Sequence, residues 1–497
     1  MDEVGVRTPT SSKSRFGRVN FQHRGRLSFM EVKGRHKLRG GFPIRSGRCQ
    51  VTRRAHSVVW QDATFGADHA DPERAADALT RALEGLPFSS DPDLVPLRPM
   101  VMRREALDEL GSAARELVSL VERVCRRLTE DPWELARLSG MRPDQVPFIG
   151  AGGVEDEWSF AACNVRPDAY IVDGTPMFLE CNFGAANSGP ITSHMLRKTY
   201  HSLYGISPRP LRGEAEGAFE ARADFYRRIC EKRGVPLRVA ILGTMREEDI
   251  DDPRYFGVEA EYLESVGIES SFVEPEELAD DPRRWSVVQK HFLPEEWIRL
   301  GIPLEGISKA HRESAFMVSD SGLSLSSKRV FAWLGSGQVP LSQSEREFVR
   351  RHVPWTREVV AGPVDFEGRE HGIEELALRS REKFVLKPVN ACGGEGVVVG
   401  RATTDERWKA ALTAALGSGN HVLQEYIEPD AGRMEFWDRA SGRVRDLEVD
   451  YVLGPYIVDG VSAGCTVRHV QKGRNGVVNH ARGAALNIVL PADPAES

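Results

Sequence analysis

The stretch "NVRPDAYIVDGTPMFLECNFG", residues 164–184, decides how the rest of this chain is read. Apolar and polar residues alternate on both sides of Asp173-Gly174, and Asp-Gly is a strong hairpin-turn signal. With a three-residue loop, Asp173 to Thr175, position 172 faces 176. That register puts Asp168 opposite Glu180 and Arg166 opposite Asn182. All four share one face, and Met177 and Leu179 turn to the other side, toward a core. Opposed β carbons lie about 4.5–5.5 Å apart, where like charges repel. A positive group must offset the acids. Arg166 supplies part of this. A hard divalent cation such as Mg²⁺ suits Asp168, Glu180 and Asn182, because it prefers carboxylate and amide oxygens and keeps room for phosphates. The competing reading is a solvated polar face on an edge hairpin, which Pro167 fits. On the hairpin alone the two readings stand level.

Two further stretches bear on the choice. In "LKPVNACGGEG", residues 386–396, Lys387 ends an apolar strand. Gly393, Gly394 and Gly396 let backbone N–H groups approach phosphate oxygens, and the lysine adds a point charge. Taken alone, the loop fits a plain hairpin better. It is not a Walker loop, since the lysine precedes the glycines and no Ser or Thr follows. "HVLQEYIEP", residues 421–429, is an apolar strand running into Gln424, Glu425, Tyr426 and Ile427. It offers backbone groups to an adenine edge, or is simply a strand end.

Together these pieces resemble the ATP-grasp enzymes. That family has a lysine before a glycine-rich loop, a hinge strand rich in Glu and apolar residues, and an Asp with a Glu-x-Asn that hold Mg²⁺. Here the metal hairpin precedes the lysine loop by about 200 residues. This order resembles the circularly permuted branch, which includes glutathionylspermidine synthetase and related bacterial amide ligases. The twelve-position step from Asp168 to Glu180, "SSKRVFAWL" with Lys328, "RRHVPWTREVV" and "VVNHARGAALNIVL" carry the likeness further. It covers residues 151–490 in patches. No substrate-selecting motif and no amidase domain match.

The resemblance implies a permuted ATP-grasp fold and an ATP-dependent carboxylate–amine ligase. Lys328 and Lys387 then meet the phosphates under Gly393, Gly394 and Gly396, and Gln424, Glu425, Tyr426 and Ile427 line the adenine pocket. Asp168, Glu180 and Asn182 hold Mg²⁺, and Arg166 steadies the carboxylate or acylphosphate. Asn187 and Ser188 are candidate acyl-substrate contacts, against a slightly favoured plain polar turn. Arg468 is a candidate phosphate or substrate contact, as readily read as a surface strand residue. His291, His311 and His480 share no spacing and read as ordinary residues. Cys181 and Cys392 read as packing residues. The alternatives are a phosphotransferase that stops at a phosphorylated product, or a silent ATP-grasp binding protein.

The rest of the chain frames this site. Its 497 residues suffice for several packed domains. The class is α/β with α+β elements. The expected divisions are a disordered basic extension, 1–60, a helical layer, 61–150, and the metal hairpin part, 151–210. A pre-ATP-grasp α/β unit, 211–325, and the nucleotide-binding part, 326–490, follow. "PLRVAILGT" and "IESSFVEP" read as parallel strands joined by a helix, with no dinucleotide fingerprint. Residues 1–54 carry 14 Lys/Arg against 3 Asp/Glu, while the remainder is acidic. An acidic body argues against a nucleic-acid platform. No apolar run is long enough to span a membrane and no secretory signal opens the chain. Seven cysteines without CxxC spacing fit a reducing cytoplasm. The implied partners are a small carboxylate and an amine.

Overall fold

The hairpin forms as strands Asn164–Val172 and Thr175–Phe183. Its turn has two residues, not three. Asp173 and Gly174 both take positive φ, 48° and 78°, the geometry that matches the twist of the flanking strands. Val172 therefore faces Thr175. Further on, the ladder gains a residue. Ala169 faces Phe178 but Asp168 faces Glu180, so Leu179 is a bulge. The short turn and the bulge cancel, and Asp168–Glu180 and Arg166–Asn182 oppose each other as expected. The inward-facing set does change. Phe178, Cys181 and Phe183 enter the core, while Met177 and Leu179 are half-buried outside it.

The strand that carries Asp168 is not an edge. It pairs with the long strand Arg443–Val458, at Ala169–Leu453 and again at Val165–Ile457. Between these pairs each strand carries a proline, Pro167 and Pro455, and neither has an N–H to donate. The edge is the partner strand, Thr175–Phe183. The first half of the long strand pairs with Gly432–Asp438, and its other side pairs with Val461–Gln471. Ala485–Pro491, Met100–Met102 and Leu94–Pro96 complete an eight-stranded sheet.

The computed structural model describes residues 71–86, 94–151, 154–184, 189–205, 215–247, 250, 252–314, 316–318, 321–473, 478 and 484–492. The basic extension, Asn187, Ser188 and His480 lie outside them. The opening layer is not all helical. Between helices Pro72–Leu83 and Arg104–Leu128, the segment "LVPLRPMVM" supplies two of the sheet strands. Its prolines stop a helix, and its apolar residues extend the sheet. The helix Arg104–Leu128 lays Leu110, Leu117, Val121 and Val124 on one face of the sheet. Helices Gly189–Tyr204 and Ala218–Arg233 share another core with Tyr456, Val458 and Ile488.

Two smaller sheets flank this one. Glu269–Val273, Arg238–Leu242, Val287–Lys290 and Phe316–Met317 form a parallel sheet in that order, as the strand–helix–strand pattern predicts. Val398–Val399, Phe384–Pro388, His421–Glu425 and Thr356–Glu358 form an antiparallel sheet, with the glycine loop between its first two strands. Helices Ile373–Arg379 and Asp405–Ser418 cover it through Leu376, Trp408 and Leu412. No helix among the described residues is long and apolar enough to cross a membrane.

A buried ion pair joins the parallel unit to the hairpin. Arg222 Nη1 donates to both carboxylate oxygens of Glu259, at 3.0 and 2.8 Å. Its Nη2 donates to Asn164 Oδ1 at 3.2 Å, on the first residue of the hairpin. Burial opposes the charge on Glu259, but Arg222 and His291 outweigh it and hold its pKa below the usual range. Removing one partner strands the other charge away from water. Glu259→Ala is expected to destabilise the fold by about 3–5 kcal/mol, whereas the Arg222→Met/Glu259→Leu pair loses much less. Thermal melts beside the exposed control Glu261→Ala check this, and equal melting temperatures for Glu259→Ala and the control would contradict it.

Candidate functional site

Both acids meet cations, Asp168 away from water and Glu180 half-buried. Asp168 is buried, and each of its oxygens faces an arginine. Arg166 Nε lies 3.2 Å from Oδ1, and Arg468 Nη2 lies 2.6 Å from Oδ2. Glu180 Oε2 lies 3.3 Å from Lys328 Nζ. Burial would raise the pKa of Glu180, but Lys328, Lys387 and Arg468 prevail and hold it at about 2. Both acids therefore stay beside fixed positive charge. Four cations surround two carboxylates, which leaves two positive charges in excess. Arg468 adds a sharper sign: it is 6% exposed and its Nε has no hydrogen-bond partner among the described residues. A buried donor left unmatched is costly unless a ligand completes it.

The two lysines arrive from separate segments. Lys328 precedes helix Arg329–Ser336. Its backbone N–H donates to Val389 O and its ammonium to Ala391 O, both at 2.9 Å, so it grips the start of the glycine loop. Lys387 sits on strand Phe384–Pro388, and its ammonium donates to Gln424 Oε1 at 2.6 Å. Burial lowers its pKa, Glu180 opposes this in part, and Lys328 adds to it, which brings Lys387 to about 8. Gly393, Gly394 and Gly396 all take positive φ, between 63° and 76°. Only glycine does so without strain, and the loop turns sharply there.

Most of these groups line one cavity. Asp168, Glu180, Lys328, Lys387 and Arg468 supply its charged lining, with Gly394 among them. Val385, Val397, Val399, Leu179 and Ile427 supply apolar lining, with Gln424, Glu425 and Tyr426. Arg166, Asn182, Gly393 and Gly396 do not line it. Asn182 Nδ2 donates to Arg166 O at 3.2 Å, which orients its amide. The aliphatic stem of Arg166 packs on Gly454, where a β carbon would come within 2.8 Å of it. No cluster of three His, Cys, Asp or Glu ligands occurs among the described residues. The donor set here is two facing carboxylates and an amide, and those hard oxygens fit a hard divalent cation.

Some supporting residues escape a reading of the sequence. Asp430 caps the hairpin turn, accepting from Asp173 N and Gly174 N at 3.0 Å each, while its own N–H donates to Ile171 O. It thereby ties the hairpin to the segment after Ile427. Tyr170, Val452 and Val478 complete the cavity wall. The Asp173-Gly174 turn that Asp430 caps is the one sequence signal that bears on it. The others become visible only when the sheets are assembled.

No protein-family profile matches the chain, and no curated protein matches it. Among solved structures the chain is similar to a glutathione synthetase-like effector from Globodera pallida in its apo form. That match has a TM-score of 0.50 at 12% identity and covers 85% of this chain and 98% of that one. The two share a mixed α/β fold. A D-cycloserine synthetase also aligns, at a TM-score of 0.28 and 18% identity, over 51% of this chain and 75% of that one.

The lowered pKa of Lys387 has a direct reading. Between about 8 and the ordinary lysine value of 10.5 the unfolded chain holds a proton that the folded chain lacks. This lysine's contribution to stability therefore rises with pH across that interval. Trace acetylation at a series of pH values, followed by mass spectrometry, is expected to give Lys387 a midpoint near 8. A midpoint at the ordinary lysine value of about 10.4 would contradict the burial and charge described here.

Proposed function

We propose that the chain is an ATP-dependent carboxylate–amine ligase of the circularly permuted ATP-grasp kind, working through an acylphosphate. The observation that supports this most is the mixed lining of this cavity. Lys328, Lys387, Arg468 and the acid pair share it with apolar side chains, which suits a nucleotide's polyphosphate and base. Lys328 and Lys387 face the phosphates with Gly394, and the strand end at Glu425 to Ile427 receives the base. Asp168, Glu180 and Asn182 would hold Mg²⁺, which supplies neutralisation of phosphate charge.

The reaction follows from positioning and charge. A carboxylate oxygen of the acid attacks the γ-phosphorus of ATP, and ADP leaves. The amine then attacks the acyl carbon, loses a proton and expels inorganic phosphate, leaving an amide. Arg166 and Arg468 offer planar forks to the carboxylate and to the acylphosphate oxygens. Lys387 is mostly protonated below about pH 8, where it steadies the charge passing to the β–γ bridging oxygen. The substrates are a small acid and a small amine, in the range of amino acids and short peptides.

Glu180 stands half-buried on the edge strand, so its removal spares the fold. Glu180→Ala and Lys387→Met are expected to lower ATP turnover by about a hundredfold or more, the scale of losing one electrostatic stabiliser. Circular dichroism should stay near wild type. ADP release that requires both an acid and an amine, with an amide detected by mass spectrometry, is the expected outcome. ADP release with a phosphorylated acid and no amine requirement would replace the ligase reading with phosphoryl transfer.

A further inference from the structure

Gln424 is 2% exposed and makes three contacts that bridge two sheets. Its Oε1 accepts from Lys387 Nζ at 2.6 Å. Its Nε2 donates to Leu179 O at 3.2 Å and to Thr356 Oγ1 at 3.1 Å. Thr356 in turn donates its hydroxyl proton to Pro354 O at 2.9 Å, so it is held as an acceptor toward the amide. Leu179 is the bulged residue of the acid hairpin. A bulge leaves its extra residue out of the regular ladder, which frees that carbonyl for another donor.

We propose that Gln424 is a positioning residue that couples the hairpin bulge to the aim of Lys387. Two acceptors on one side fix which end of the amide turns outward, and the oxygen end meets the lysine. The residue insertion that returns Glu180 to a place opposite Asp168 also supplies the carbonyl that orients the amide. The acid pair and the phosphate lysine are thus set by one local irregularity. Glutamate cannot take this place unchanged, because it has no hydrogen to donate to Leu179 O or Thr356 Oγ1. The role assigned to Lys387 rests on the ligase reading, but the coupling of Gln424 to Lys387 does not.

The test uses the full chain and two readouts, the acetylation midpoint of Lys387 and the Kd of ATP by calorimetry. Gln424→Glu is expected to raise the midpoint by about one unit or more, since it sets a carboxylate against the ammonium. Thr356→Val removes the amide's anchor from outside the cavity. It is expected to weaken ATP binding about tenfold, the size of a misdirected hydrogen bond to a charged group, while Thr356→Ser restores the wild-type value. Variants that melt earlier yet keep the wild-type midpoint and Kd would overturn the assignment. A wild-type chain that binds no ATP would count against the ligase reading alone, and the midpoint in Gln424→Glu would still decide the role of Gln424.

Discussion

Two carboxylates held opposite each other on neighbouring strands set the terms for everything around them. Asp168 and Glu180 are too close to share a buried face unless positive charge stands beside them. The chain answers with Arg166, Arg468, Lys328 and Lys387, drawn from four separate stretches. This answer overshoots. The surplus of positive charge, and the unmatched Nε of Arg468, leave the cavity complementary to an anion that the protein itself does not provide. The acids then have a use beyond balancing charge, as hard donors that fit a divalent cation beside such an anion.

The cavity depends on two sheets and one helix start that contribute unlike things. The large sheet carries Asp168 and Arg468 on doubly paired strands and Glu180 on its edge strand. The antiparallel sheet brings Lys387, the glycine loop and the apolar wall. Lys328 comes from the helix that follows the parallel unit, and its bond to Ala391 O ties that helix to the glycine loop. Asp430 and Gln424 fasten the hairpin to the antiparallel sheet at its turn and at its bulge.

The acid register was legible in the sequence, yet by a route that was wrong in two places. A three-residue loop and an unbroken ladder predict the same facing pairs as a two-residue loop and a bulge. The difference surfaces only in Phe178, which takes the core place expected of Met177 and Leu179. Bulges leave no compositional mark, so alternation alone could not locate this one. Pro167 suggested an edge because a central strand normally needs every N–H. Here Pro455 on the neighbouring strand falls in the same unpaired gap. Lys387 and the strand end at Glu425 stood out because polar residues there follow apolar runs, and Lys328 stood out through the likeness of "SSKRVFAWL". Thr356, Asp430, Val452 and Tyr170 are ordinary residues whose part depends on tertiary assembly. The short strands Leu94–Pro96 and Met100–Met102 were hidden in a helical neighbourhood for the same reason.

The central claim is that the charged lining of the cavity takes a nucleotide's phosphates next to the acid pair. Crystals of the chain grown with ADP and Mn²⁺, measured at the manganese absorption edge, test it most directly. The account predicts an anomalous peak between Asp168 and Glu180, with phosphate oxygens in contact with Lys328 and Lys387. A nucleotide bound elsewhere, or an acid pair still closed on Arg166 and Arg468 at saturating ADP and Mn²⁺, would contradict it.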